Sequence, residues 1–133
     1  MSELLVSEEN LRKMPFSKEA EQSVLGTVIL DPEKLNEIAA ILRADDFYLE
    51  QHVRIYEAMR NIFARADAHL DEVTLLEELV TSGTLDEAGG KAYITTLAES
   101  VPDMNNLMDY VRIIKDKAVL RRLIEASNEI GEM

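Results

Sequence analysis

Apolar residues along this chain recur at intervals of three and four, and the breaks in that rhythm mark out its elements. Ala20, Val24, Leu25, Thr27 and Val28 hold helical spacing through Leu30, behind Pro15 and Ser17. Ser17 is the expected N-cap, and Glu19 and Glu21 fall in the first turn, where carboxylates compensate the helix dipole. Asp31-Pro32 restarts the pattern, with Asp31 as cap and Pro32 at the first helical position, ahead of Leu35, Ile38, Ala39, Ile41 and Leu42. Asp45-Asp46-Phe47-Tyr48 interrupts it, one aspartate capping the turn before a third helix that carries His52, Ile55, Tyr56, Met59, Ile62 and Phe63. Leu70-Asp71 leads into a fourth helix with Leu75, Leu76, Leu79 and Val80, closed by Ser82-Gly83. Leu85–Ala88 reads as one short turn stopped by Gly89-Gly90. Tyr93, Ile94, Leu97 and Ala98 then form a further helix that ends at Pro102.

A different object follows. From about Asn106 to Ile130 there is neither Gly nor Pro, which predicts a helix of around 25 residues, about 37 Å long at 1.5 Å per residue. Its apolar residues, among them Leu107, Val111, Ile114, Ala118, Leu120, Leu123 and Ile124, cover more than one narrow stripe. A helix apolar over so wide an arc needs two partners. One is the globular bundle, and the other is either a following helix or a second protomer. No segment signals a strand. The fold class is all-α: an arm without firm period at 1–14, a compact globular bundle of about six helices at 15–103, and one long helix at 104–133.

Composition narrows the picture. The 133 residues fit one domain, able to bury a core without covalent staples. With no Cys, disulfides and thiolate metal sites are unavailable, which is compatible with the cytoplasm. Glu3, Glu8 and Glu9 interrupt the first residues, unlike a signal peptide, and no stretch approaches the ~20 apolar residues of a membrane span. The expectation is a soluble chain. Lys and Arg number 14 against 26 Asp and Glu, a formal charge of −12. Cations and anions balance from residue 106 onward, so the whole excess lies in residues 1–105. Such a surface repels phosphate, and direct nucleic-acid binding is not expected.

The chain offers little catalytic chemistry. The nearest approach to a phosphate-binding loop is Gly89-Gly90-Lys91-Ala92, but Leu85 stands where the first Gly belongs and Ala92 cannot hold magnesium. A helix stop and restart on left-handed glycines explains it instead. His52 and His69 are too far apart for a one-turn metal pair. His52 reads as a packed, hydrogen-bonded core residue and His69 as a solvated loop residue. Glu77-Glu78 reads as a solvated helix face. Lys115, Lys117, Arg121 and Arg122, interleaved with Asp116 and Glu125, form the one cationic run. They make either exposed i,i+4 pairs or a docking rim around the apolar face of the long helix.

One pattern goes further. Glu19-Ala20-Glu21-Gln22-Ser23-Val24-Leu25-Gly26, then Asp45-Asp46-Phe47-Tyr48 and His52-Val53-Arg54-Ile55-Tyr56, stand in an order and spacing that resembles the N-terminal domain of the bacterial replicative DNA helicase, the DnaB family. The resemblance continues through Asp71-Glu72-Val73-Thr74-Leu75, Leu85-Asp86-Glu87-Ala88-Gly89-Gly90-Lys91-Ala92-Tyr93 and Val119-Leu120-Arg121-Arg122-Leu123-Ile124, and so covers roughly residues 15–131. It departs at His69-Leu70-Asp71, where a Gly- or Pro-containing approach to the Asp is more usual.

The resemblance implies a collar domain on a hexameric ring, built as a trimer of dimers. It implies that the long helix is the first arm of a helical hairpin, and that the chain is a piece of a longer protein with the second arm, linker and motor beyond it. The implied partners are the C-terminal helicase-binding domain of primase, further copies of the same chain, and a helicase loader. ATP and magnesium belong to the motor, an ATP-dependent helicase, and this segment has no cofactor, metal or catalytic residue of its own. The partner surface it implies lies on the long helix and its edge: Tyr93, Arg121, Ile124 and Ile130, with Glu19 as a polar contact. Plain core packing is the competing reading for Tyr93, Ile124 and Ile130. The competing function is a stand-alone acidic helical adaptor, a protein–protein module unrelated to a helicase.

Overall fold

The computed structural model describes residues 14–101 and 104–132, the side chains of 104 and 129–132 excepted. Six α-helices are described: α1 Lys18–Leu30, α2 Leu35–Ala39, α3 Glu50–Phe63, α4 Glu72–Thr81, α5 Lys91–Glu99 and α6 Leu107–Glu132. Short 3-10 turns at Pro32–Lys34, Ala44–Asp46 and Met104–Asn106 lead into or between them, and the described residues contain no strand. All but the last residue of the expected arm at 1–14 lies outside the described residues.

Helix α1 is the axis of the fold. Ala20, Glu21 and every residue from Ser23 to Ile29 are buried, so the helix is enclosed on nearly all sides. Helices α6, α5 and α3 pack around it, and α4 closes the far side against α3 and α5. The core so formed includes Val24, Leu25, Leu35, Ile38, Leu42, Ile55, Tyr56, Met59, Ile62, Leu75, Leu79, Ile94 and Leu97. Tyr56 brings a hydroxyl into it, satisfied by the Leu42 carbonyl at 2.9 Å, and burial pushes the phenol pKa up to about 12.

The helix ends follow local chemistry with one exception. Ser17 caps α1 by accepting from the Ala20 N–H at 3.2 Å, as its position predicts. Asp31 does not cap the next element with its side chain. Its backbone N–H instead closes α1 on the Thr27 carbonyl, and Pro32 starts a 3-10 turn that becomes helical only at Leu35. Helix α4 opens on a reciprocal Asp71–Thr74 capping box. It closes in a Schellman turn, Gly83 and Thr84 donating to the carbonyls of Val80 and Leu79.

Helix α6 meets half of its expectation. Leu107, Val111, Ile114 and Ala118 recur at spacings of four, three and four, and all are buried on the globular body. Met108, Ile113, Val119, Leu120 and Leu123 are exposed, Leu123 to 62 %. The second apolar face predicted from the pattern is therefore present and is left uncovered by the described residues.

Candidate partner-binding surface

Two buried polar clusters link two of the residues expected to form the partner surface, Tyr93 and Arg121. The first begins at Glu21, which shares a helical face with Leu25 and Val28 and is 1 % exposed. Its carboxylate accepts from His52 Nδ1 at 2.7 Å and from the backbone N–H groups of Tyr48 at 2.9 Å and Leu49 at 3.4 Å. Those two amides stand at the start of α3, so the buried charge also faces the positive end of a helix dipole. His52, fully buried, meets the Tyr93 hydroxyl with Nε2 at 2.5 Å, and the Gln22 amide reaches the same hydroxyl at 3.2 Å. One set of proton positions satisfies every member: Gln22 donates to Tyr93, Tyr93 to His52 Nε2, and His52 Nδ1–H to Glu21. The expectation of a packed, hydrogen-bonded His52 holds. Glu21 stands in the first turn of its own helix as expected, and its carboxylate also serves the start of α3 and His52.

The second cluster centres on Asp46, whose side chain is fully buried. Its carboxylate accepts from the Arg43 N–H at 2.8 Å, from Lys115 Nζ at 3.1 Å and from Arg122 at 2.6 Å. Burial alone would push this carboxyl up, but the Arg43 amide and the Arg122 and Lys115 cations outweigh it and hold the pKa below its ordinary value. Arg121, 7 % exposed, donates to the Asp46 carbonyl at 2.7 Å and to the Pro15 carbonyl at 2.8 Å. Its guanidinium lies 5.1 Å from the centre of the Tyr48 ring, on which Phe16 stacks at 4.6 Å. Burial draws the Arg121 pKa down, opposed by the negative charge of Glu21 and Asp46.

One expectation holds and one is corrected. Asp46 caps the turn before α3, closing that 3-10 turn on the Arg43 amide, and spends its remaining capacity on α6. Among the described residues Lys115, Arg121 and Arg122 do not make exposed i,i+4 pairs: Lys115 and Arg122 pair with Asp46, and Arg121 is directed inward.

A depressed carboxyl pKa stabilises the fold fully above the unfolded value and is lost as pH falls through the folded value. For Asp46 the unfolded reference is about 3.8, so this contribution is intact through neutral and mildly acidic pH and disappears only below that point. Melting temperatures recorded between about pH 3 and pH 6 are expected to fall more steeply for the parent than for Asp46→Asn. Parallel curves would show that Asp46 has no part in the acid limb.

The expected surface residues sit as follows. Tyr93 is half-buried, its hydroxyl turned inward to His52 and Gln22. Glu19 is exposed and lines a cleft of about 180 Å³ with Gln22, Ser23, Ser100 and Tyr110. Gln22 thus places Glu19 and Tyr93 on one side of α1. Arg121 is internal, Ile124 is half-buried one turn further along α6, and the Ile130 side chain lies outside the described residues. Tyr93 and Arg121 are joined by a continuous polar path through His52, Glu21 and residues 46–48. The spacing contained signals for the two buried charges. Glu21 falls in phase with Leu25 and Val28, and Arg121 falls three residues after Ala118 on the buried stripe of α6.

Among the described residues no three His, Asp or Glu side chains are grouped to hold a metal, and no helix is long and apolar enough to cross a membrane. Gly89 and Gly90 have φ of 99° and 84°, the left-handed stop ahead of α5, with no strand before it among the described residues.

Comparison with known proteins agrees with the architecture. Residues 13–116 match the family described as the DnaB-like helicase N terminal domain. The replicative DNA helicase DnaB of Geobacillus stearothermophilus is 44 % identical over 118 residues, covering 89 % of this chain and 26 % of the relative. The replicative DNA helicase DnaC of Bacillus subtilis is 40 % identical over 123 residues, covering 92 % and 27 %. The chain therefore spans about a quarter of the length of these relatives. The crystal structure of the N-terminal domain of DnaB helicase from Mycobacterium tuberculosis superposes with a TM-score of 0.85 at 36 % identity, covering 90 % of this chain and 85 % of that one. A DnaB-like replicative helicase solved in a study of its interactions with primase gives a TM-score of 0.76 at 25 % identity, over 87 % of this chain and 27 % of the other. The chain, whose described residues form six α-helices with α1 as the axis and α6 as the long last one, belongs to the family of DnaB-like helicase N-terminal domains.

Proposed function

We propose that this domain is the collar module of a ring-shaped, hexameric replicative helicase, and that it docks the C-terminal helicase-binding domain of primase so that primer synthesis stays coupled to unwinding. The observation that carries the reading is the uncovered apolar face of α6, with Ile113, Leu120 and Leu123 exposed on a helix otherwise anchored to a core. An isolated domain has no use for such a face, whereas ring assembly and partner docking do. A family member solved together with its interactions with primase supports the choice of partner. On this reading Tyr93, Ile124, Ile130 and Glu19 belong to the docking surface, with a second copy of the domain and a helicase loader as further partners in the cytoplasm. ATP hydrolysis, magnesium and DNA translocation belong to a motor domain outside this segment. The −12 charge gives the collar itself no hold on nucleic acid.

Calorimetric titration with the primase C-terminal domain from the same organism tests this. The expected result is micromolar or tighter binding, weakened at least about tenfold by Ile124→Asp with helicity retained. Absence of binding by the folded domain, or full binding by Ile124→Asp, would overturn the assignment of the surface.

A further inference from the structure

Arg121 belongs by resemblance to the partner surface, yet its guanidinium is turned into the protein and held by two backbone carbonyls. We propose that Arg121 serves that surface as a positioning residue: with Asp46 it forms a clasp that sets the direction in which the end of α6 leaves the globular body. The proposal rests on the reading that α6 carries the partner surface.

The clasp joins three stretches of chain. Pro15 and Phe16 come from the segment before α1, Arg43–Tyr48 from the turn before α3, and Lys115–Arg122 from α6. Upstream, α6 is held by Leu107, Val111, Ile114 and Ala118, whose burial is non-directional and leaves a helix free to roll or tilt by small amounts. Arg121 and Arg122 add directional bonds at the last point of attachment. A guanidinium held by two carbonyls from different segments resists both roll and tilt. Beyond them Leu123 and residues 125–128 are exposed and Ile124 is half-buried. The ten residues from 123 to 132 project about 15 Å, so a tilt of about 10° at the clasp moves the tip by roughly 3 Å. That is enough to take an anchor residue out of a partner's pocket.

The buried charges suit this role better than one in stability. A buried ion pair returns little net stability over an apolar replacement, and its distinctive contribution is to specify one geometry. Asp46 also separates positioning from contact. Its side chain is fully buried, so it cannot touch a partner. The Asp46→Asn substitution replaces one acceptor oxygen with an amide donor facing donors, which breaks the clasp without changing the outer surface.

The chain has no Cys, so labels at Glu77→Cys on α4 and Glu125→Cys on α6, both exposed, are unambiguous. Electron–electron resonance distances in the free chain are expected to show one narrow population for the parent. Asp46→Asn and Arg121→Lys, the latter with a single ammonium in place of the fork, are expected to broaden or shift it. Arg112→Ala, which removes an exposed cation of the same helix, leaves it unchanged. Binding of the primase domain is expected to fall at least fivefold in Asp46→Asn and Arg121→Lys alike. Parent-like distances in folded Asp46→Asn and Arg121→Lys would overturn the clasp. So would loss of binding in Arg121→Ala with binding intact in Asp46→Asn, which would make Arg121 a direct contact. If the parent itself binds no primase domain, the docking reading fails while the distances still decide the clasp.

Discussion

Replacing Glu21 with leucine is expected to destabilise the fold by about 4 kcal/mol and to lower the melting temperature by more than about 10 °C. The substitution is apolar and of similar length at a position only 1 % exposed, so ordinary core reasoning predicts a mild effect. The partners decide otherwise. Glu21 receives the N–H groups of Tyr48, Leu49 and His52, and leucine leaves all three in a dry environment. Each buried donor without an acceptor costs about 1–3 kcal/mol. Glu21→Gln is expected to cost markedly less. The amide oxygen can take the Tyr48 N–H at 2.9 Å, and its NH2 can donate to His52 Nδ1 once the imidazole proton moves to Nε2 and points at Tyr93. Denaturant melts of Glu21→Leu, Glu21→Gln and the parent check the order. Equal losses in the two variants would mean that the charge, and not donor satisfaction, holds the cluster together.

The same cluster shows what one sequence can and cannot disclose. Helix α6 was readable in its length and in its two apolar faces, because a long run without Gly or Pro and a pattern at spacings of three and four are local properties. Ser17 was readable as a cap for the same reason. Asp31 was not, because the Pro32 turn begins as a 3-10 helix and the Asp31 amide is already used to close α1. The buried partners of Glu21, Asp46 and Arg121 are illegible for a common reason. Charged side chains default to solvent unless a partner is known, and their partners are remote: Arg121 bonds Pro15, 106 residues earlier, and Lys115 bonds Asp46 across 69. The helical phase of Glu21 and Arg121 pointed inward, but phase says that a residue is buried and not what satisfies it. For the partner surface the resemblance supplied residues that periodicity could not single out. The structure then separates them, since Glu19 is open to solvent while Arg121 is enclosed.

Gly26→Ala is expected to destabilise the domain by about 2 kcal/mol, the opposite sign to the same change in an exposed helix. In the middle of a helix, alanine is worth about 1 kcal/mol more than glycine because it has less backbone freedom to lose. Gly26 lies inside α1, nine residues into a helix of 13, with no positive φ to explain the glycine. Distance explains it instead. A Cβ there would press into the Leu97 carbonyl oxygen of α5 and come within 2.5 Å of Val101 Cγ2. Val101 can rotate away, but a helix carbonyl cannot, so α5 would have to move off α1. That movement would loosen Ile94 and Leu97 in the core and shift Tyr93, whose hydroxyl is fixed to Gln22 and His52 on the other two helices. A chemical-denaturation midpoint checks the sign, and fluorescence of a probe near Tyr93 checks the coupling. A Gly26→Ala domain more stable than the parent would mean that α1 and α5 are farther apart in solution than their packing requires. A loss of stability with Tyr93 undisturbed would mean that α5 yields by bending at its end, near Val101, instead of moving as a body.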